Sequence, residues 1–364
     1  MCAQKGNKPM DTVRVCNQRP SYVLARLRKL RVDLGLTQDD LATLGHKQSI
    51  PEISRTTVVT AESGKPVGPK TVRLLVEKLN LILDEPLSIA DLVGAGESES
   101  RSTVINQWRC IGPPEPYTVA PNGLQWRVQK LEHRHVRNRV GRGKFYDLSH
   151  LSSKHQYDFQ GYLVARHAEV CDRVGAHLNI ARNYGVMPDG TTKHCWWVVD
   201  EWIEGERLDR RIERGPLPLD ELRQLMVDVA LGLEALHKAD VIRRELSPRF
   251  IFLTKSGAIL TDFELAKLLD GSPTVATDEW PDDPYRAPEV YGGKSQKNSD
   301  LFSWAMIVAH AASGDARLNP GSASRTLDAV GLPAKVRRVA KSCLQPASKR
   351  PGSVGAVLKV LRIW

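Results

Sequence analysis

Residues 94–104, "GAGESESRSTV", hold no large apolar side chain, and no other stretch constrains the fold so strongly. A segment with nothing to bury stays outside any core, so it divides the chain into units that must each cover their own apolar surface. At 364 residues there is enough chain for two or three such units without disulfide or metal staples. Before the break the pattern is helical throughout. From about residue 118, strand-like segments ("LQWRVQKLEH", "RVGRGKFYDL", "CWWVVDEWI") give way to long helical periods. The expected fold class is therefore multidomain, an all-α unit followed by an α+β unit.

Composition excludes several classes. Hydrophobic residues make up 41% and charged residues 26%, which argues against wholesale disorder. No apolar run approaches the roughly 20 residues that span a bilayer, and "MCAQKGNKPMDTVRV" lacks the core of a signal peptide, so a cytoplasmic protein with no membrane partner is expected. The cysteines Cys2, Cys16, Cys110, Cys171, Cys195 and Cys343 form no C-x-x-C pair, and no cluster of thiols or carboxylates partners His133 and His135. No structural metal is expected. The net charge is +10, and residues 1–82 hold 14 Lys and Arg against 7 Asp and Glu, a footprint suited to a polyanion.

In "SYVLARLRKLRVDLGL", Val23, Leu27, Leu30 and Leu34 share one helical face. Thr37, with Asp40 three residues on, can cap the next helix. A further helix is expected to start at Ser54 and stop at Gly64, and a fourth carries Pro69 in its first turn. The order "GLTQDDLA", "SRTTV", "ESG" and "TVRLLVEKL" resembles the XRE-type, phage-repressor-like helix-turn-helix family. The resemblance implies double-stranded DNA as partner, contacted by Gln38, Ser54, Arg55, Thr56, Thr57, Thr60, Lys65 and Lys70, with a homodimer on paired half-sites. "TLGHKQSIPEI" is about six residues longer than that family's tight turn.

Farther on, "YRAPEV" (285–290), "SDLFSW" (299–304) and "KRPGS" (349–353), with the hinge-like "VVDEWIEGERL" and "ILTDFELAK", resemble the eukaryotic-type protein kinase family. The resemblance covers about 118–364 and implies a two-lobed fold. The expected organisation is an N-terminal arm over 1–19, the helix-turn-helix unit over 20–93, a linker over 94–117, an N-lobe over 118–204 and a C-lobe over 205–364.

Phosphoryl transfer needs a carboxylate to orient the hydroxyl, oxygen ligands for magnesium and a lysine for the phosphates. Against the family pattern H-R-D-L-K-P-x-N, this chain has Arg243, Arg244, Glu245, Leu246, Ser247, Pro248, Arg249 and Phe250. Phe250 offers no lone pair to a metal. Aligning "KFYDL" with the third strand sets Leu148 in the lysine's place, with Lys144 the alternative in a shifted register. Either His167 or Glu169 takes the ion-pairing helix position, and a Glu169–Lys144 pair is conceivable. "VGRGKF" supplies only two glycines of a phosphate loop.

These losses lead to the expectation of a pseudokinase: a DNA-binding transcriptional regulator whose kinase-like part senses a ligand or protein partner, with Glu245 and Asp262 as catalytic remnants. No cofactor is then expected, although ATP, with or without magnesium on Asp262, remains open through Lys144, Glu169, Glu201 and Asp262. The alternatives are a divergent Ser/Thr kinase using Glu245 and Asp262, and a scaffold in a defence or toxin-antitoxin assembly. Of the lesser features, the basic run Arg127 to Lys144 reads as a solvated strand face or a docking site. Trp196, Trp197 and Trp202 read as lobe packing or a stacking platform.

Overall fold

The computed structural model describes residues 22–46, 50–83, 87–93, 104–119, 125–148, 154–189, 195–272, 274, 277, 280–315 and 318–364. The expected N-terminal arm and the first ten residues of the expected linker lie outside them.

The front of the chain is helical: α1 (Leu27–Asp33), α2 (Gln38–Thr43), α3 (Arg55–Glu62), α4 (Pro69–Leu79) and α5 (Ile89–Val93). Thr37 forms a full capping box with Asp40, and the Ser54 hydroxyl accepts the Thr57 amide at the start of α3. Beyond α3, Gly64 takes φ +76°, the left-handed turn that ends a helix. Leu27, Leu41, Val58, Val72 and Leu75 close a core of their own. Val23, expected on the buried face, is 43% exposed because α1 begins only at Leu27. Arg31 ties α1 to α3 through Glu62, and the Gln38 side chain donates to the same carboxylate at 2.8 Å.

The sheet begins inside the stretch read as linker, with β1 (Val104–Ile105) and β2 (Trp108–Cys110). There follow β3 (Thr118–Val119), β4 (Gln125–His133), β5 (Val140–Asp147), α6 (Lys154–Val174), β6 (Asn183–Pro188) and β7 (Cys195–Glu201). Among the described residues these strands form one antiparallel sheet in the order β1-β2-β4-β5-β7-β6, with β3 also paired to β4. The long helix α6 stops at Val174, where Gly175 turns at φ +71° and releases the chain toward β6. The glycines of "VGRGKF" lie within β5. A Cβ on Gly143 would meet Leu131 Cδ1 at 2.5 Å, so these glycines serve sheet packing and hold no phosphate.

The rest is mainly helical: β8 (Gly205–Arg207), α7 (Leu208–Glu213), α8 (Leu219–Lys238), β9 (Val241–Ile242), β10 (Ile251–Thr254), β11 (Gly257–Leu260), β12 (Lys267–Leu268), α9 (Pro288–Tyr291), α10 (Ser299–Ser313), α11 (Pro320–Ala329), α12 (Ala334–Cys343) and α13 (Val354–Leu361). One apolar face of α8, Leu222, Met226, Val229, Leu233 and Leu236, is buried against the largely apolar α10. Trp304 of α10 donates its indole N–H to the Met226 carbonyl at 3.0 Å. The result is a two-lobed α+β body with a cleft between sheet and helices. No helix among the described residues is long and apolar enough to cross a membrane.

Candidate active site

Strand alternation decides what faces the cleft. Side chains two apart share a face, so Arg142, Lys144, Tyr146 and Leu148 of β5 and the residue after it point the same way. Lys144 pairs across to Val128 of β4 and Val198 of β7, is fully buried, and lies with its ammonium 4.2 Å from the centre of the Trp126 ring. It donates to Asp262 Oδ1 and to Glu264 Oε1. Leu148 sits one turn of the pleat away among Tyr146, Val164 and Val198. The register that gave the lysine's place to Leu148 is thus corrected: the ammonium is present, delivered by Lys144. Even spacing sets Arg142, Lys144, Tyr146 and Leu148 on one face of the strand, and pairing with β4 and β7 decides which of them meets Asp262.

Asp262 is held firmly. Its Oδ1 also accepts from Arg142 Nη1 at 3.0 Å, and its Oδ2 accepts the Thr261 hydroxyl at 2.6 Å. Burial opposes the charge, but Arg142 and Lys144 outweigh it and hold the carboxyl well below the usual range. The same aspartate is 4% exposed and adopts φ +64°, a conformation a non-glycine residue takes only when its surroundings enforce it. Glu264 is kept ionised against burial by Lys144 and also accepts the Tyr146 hydroxyl at 2.6 Å.

Glu169 does not reach Lys144. It is partly exposed and pairs with Arg166 and Arg173 on its own helix, at 3.3 and 2.8 Å. His167 faces inward instead: its Nδ1 accepts the Phe263 amide at 2.9 Å and its Nε2 meets Asp200 Oδ1 at 2.8 Å. Asp200 favours a charged ring, yet an Nδ1 that accepts an N–H carries no proton, so the imidazole is neutral with its proton on Nε2. Glu201, also expected in the nucleotide set, turns its side chain to the backbone of the segment leading into β6. Its carboxylate accepts the Arg182 amide at 3.0 Å, and Trp202, the next residue, lines the cleft.

The loop from Arg243 to Phe250 is fixed from below by Asp300, which accepts the backbone amides of Arg243 and Arg244, each at 2.9 Å. Arg244 takes φ +61° and reaches Thr274 Oγ1 at 2.6 Å. Glu245 is buried and accepts from Arg249 at 2.6 Å, and burial raises its pKa against the pull of Arg249 and Arg243. The short 3-10 turn Pro248–Phe250 places the Phe250 ring in the cleft wall, 5.1 Å from the Arg243 guanidinium. From the helical front of the chain, the buried Arg73 of α4 has Arg249, Arg286 and Glu245 among its charged neighbours. The α5 amide of Ile89 donates to Gln125 Oε1 of β4 at 2.7 Å.

The residues assigned to DNA gather on or beside α3. Their side chains are largely engaged within the protein: Ser54 and Thr57 hydroxyls bond each other at 2.8 Å, Thr60 donates to the Thr56 carbonyl at 2.8 Å, and Arg55 lies 3.7 Å from Asp39. Lys65 and Lys70 are exposed. Among the described residues no three His, Cys, Asp or Glu side chains are grouped to hold a metal, and Cys110, Cys171, Cys195 and Cys343 are free thiols.

Comparison with known proteins bears on this geometry. The family profile described as "Protein kinase domain" matches residues 134–350. A probable serine/threonine-protein kinase of Clostridium perfringens is 30% identical over 151 residues, 40% of this chain and 22% of its own length. The serine/threonine-protein kinase pkn2 of Myxococcus xanthus is 31% identical over 128 residues, 32% of this chain and 15% of its own. The chain therefore spans about a fifth of these relatives. The solved kinase domain of Mycobacterium tuberculosis PknI superposes with a TM-score of 0.52 at 16% identity, covering 71% of this chain and 97% of that one, a likeness of fold. The expectation of a catalytically inactive DNA-binding regulator is overturned by these relatives, which are named as kinases, and the helices α1 to α5 lie outside the family match.

Proposed function

The chain belongs to the protein kinase domain family, and from that premise we propose that it is a divergent serine/threonine kinase, transferring the γ-phosphoryl group of ATP to a hydroxyl of a protein substrate. The observation that carries this reading is Lys144 buried in contact with Asp262, a phosphate-holding ammonium beside a cleft carboxylate. The cleft has a volume of about 590 Å³, and Trp126, Trp202 and Phe252 give it apolar walls for a base. Held by the cleft-lining Arg249, Glu245 takes the proton of the attacking hydroxyl as the new O–P bond forms and ADP departs. A carboxylate with a raised pKa is the better base for that step.

Magnesium, which the family implies, does not fit the donors present. It requires several oxygen ligands in near-octahedral array, whereas Phe250 provides none and both Asp262 oxygens are already engaged. The test is transfer of labelled phosphate from ATP to the chain itself or to a generic protein substrate, with and without the metal. Transfer that disappears in Lys144→Met and Asp262→Ala supports the reading; its absence from the unaltered chain under all conditions sinks it.

A further inference from the structure

Resting on the kinase reading, we propose that this site takes its nucleoside triphosphate without a divalent cation, with Arg142 standing against Asp262 where a metal would have to stand. Three observations converge. The Arg142 guanidinium is buried in the cleft wall and bonded to Asp262 Oδ1 at 3.0 Å, while Lys144 shares that oxygen. The place that the family pattern gives to a metal-ligating asparagine is held by Phe250, which also lines the cleft. And the cleft is further lined by Arg207, Arg210 and Arg249, which are paired with Asp209, Glu213 and Glu245, with Arg249 Nε buried and without an acceptor.

The charge balance points the same way. Arg142 and Lys144 already neutralise Asp262 and Glu264, so a dication entering here adds two positive charges beside two others and must displace one to reach oxygen. A polyphosphate brings no further cation and needs only donors. A guanidinium carries five N–H donors in a fixed fork, so Arg142 keeps donors for phosphate oxygens while holding Asp262. The chain thus supplies from its own side chains the positive charge that a bound cation would otherwise bring.

The experiment is equilibrium binding and thermal shift of the full chain with ATP in EDTA and, separately, with excess magnesium. ATP is expected to bind in EDTA at least as tightly as with the metal. Arg142→Met should weaken binding in EDTA by about tenfold or more, a loss of roughly 1.4 kcal/mol or above, while Arg142→Lys, which keeps a charge, retains part of it. Ligand-free melting of each variant separates lost binding from lost fold. In Arg142→Met combined with Phe250→Asn, an oxygen donor replaces the ring, and binding should become magnesium-dependent. Binding of the unaltered chain only with magnesium, or Arg142→Met binding in EDTA undiminished, overturns the inference and leaves the kinase reading intact. Binding in neither buffer overturns both.

Discussion

Arg243 shows how a residue of this loop can be both family-like in place and new in chemistry. Its guanidinium is buried between the Phe250 and Phe263 rings, at 5.1 and 5.2 Å, and donates to the Thr261 carbonyl at 3.0 Å. Cation–π contact replaces solvent there, so Phe250 has a packing role that an asparagine would not fill. Beside it, Glu245 retains the carboxylate, and burial moves its pKa above the ordinary 4.5. Because the ionised form is the base, transfer activity should fall as pH drops through that raised value. The acidic limb of the rate profile is expected above the ordinary glutamate value, and Glu245→Gln should abolish the limb along with about a hundredfold or more of the rate. The family pattern pointed to Glu245 and Asp262 by position, as remnants of the catalytic set. It did not give the direction of Glu169 or Glu201, because a helix or hinge residue can be counted off a pattern while its direction depends on where the helix begins.

At the scale of elements, β5 and α10 do the positioning. The face of β5 that carries Lys144 is chosen by pairing with β4 and β7, and a one-residue slip would turn every side chain over. That register was not legible from "KFYDL", since Lys144 and Leu148 lie on the same face four residues apart and both suit a strand. For α10 the relevant group is Asp300 in its first turn, which accepts two loop amides and meets His237 Nε2 at 2.8 Å. Asp300→Ala leaves two buried N–H groups without an acceptor. A loss of about 3 kcal/mol in unfolding free energy is expected from chemical denaturation, with transfer activity reduced even where the variant remains folded. A loss under 1 kcal/mol would show that the loop is held by its other contacts.

Across the whole molecule, the C-terminal part is closed by a pair between distant segments: Arg350, just before α13, holds Glu289 of α9, and the Ser299 hydroxyl donates to the same carboxylate at 2.7 Å. Burial favours the neutral acid, but these partners prevail and Glu289 titrates below its ordinary 4.5 in the folded chain. A depressed folded pKa contributes stability that is complete above the unfolded value and is lost as pH falls through the folded one. Melting temperature should therefore decline between about pH 5 and pH 3, and Glu289→Gln should lower it at pH 7 while flattening that decline. An unchanged slope in the variant would assign the acid sensitivity to other carboxylates. By itself the sequence determined the order of strands before helices, the capped starts at Thr37 and Ser54, the apolar face of α8 and the kinase landmarks, because each depends on periodicity or local hydrogen bonding within a few residues. Only the tertiary structure decided that Lys144 fills the place given to Leu148, that β1 and β2 join the sheet, and that Arg142 meets Asp262 across 120 residues of chain. Those outcomes follow from strand register and from charges brought together by packing, and neither has a local signature.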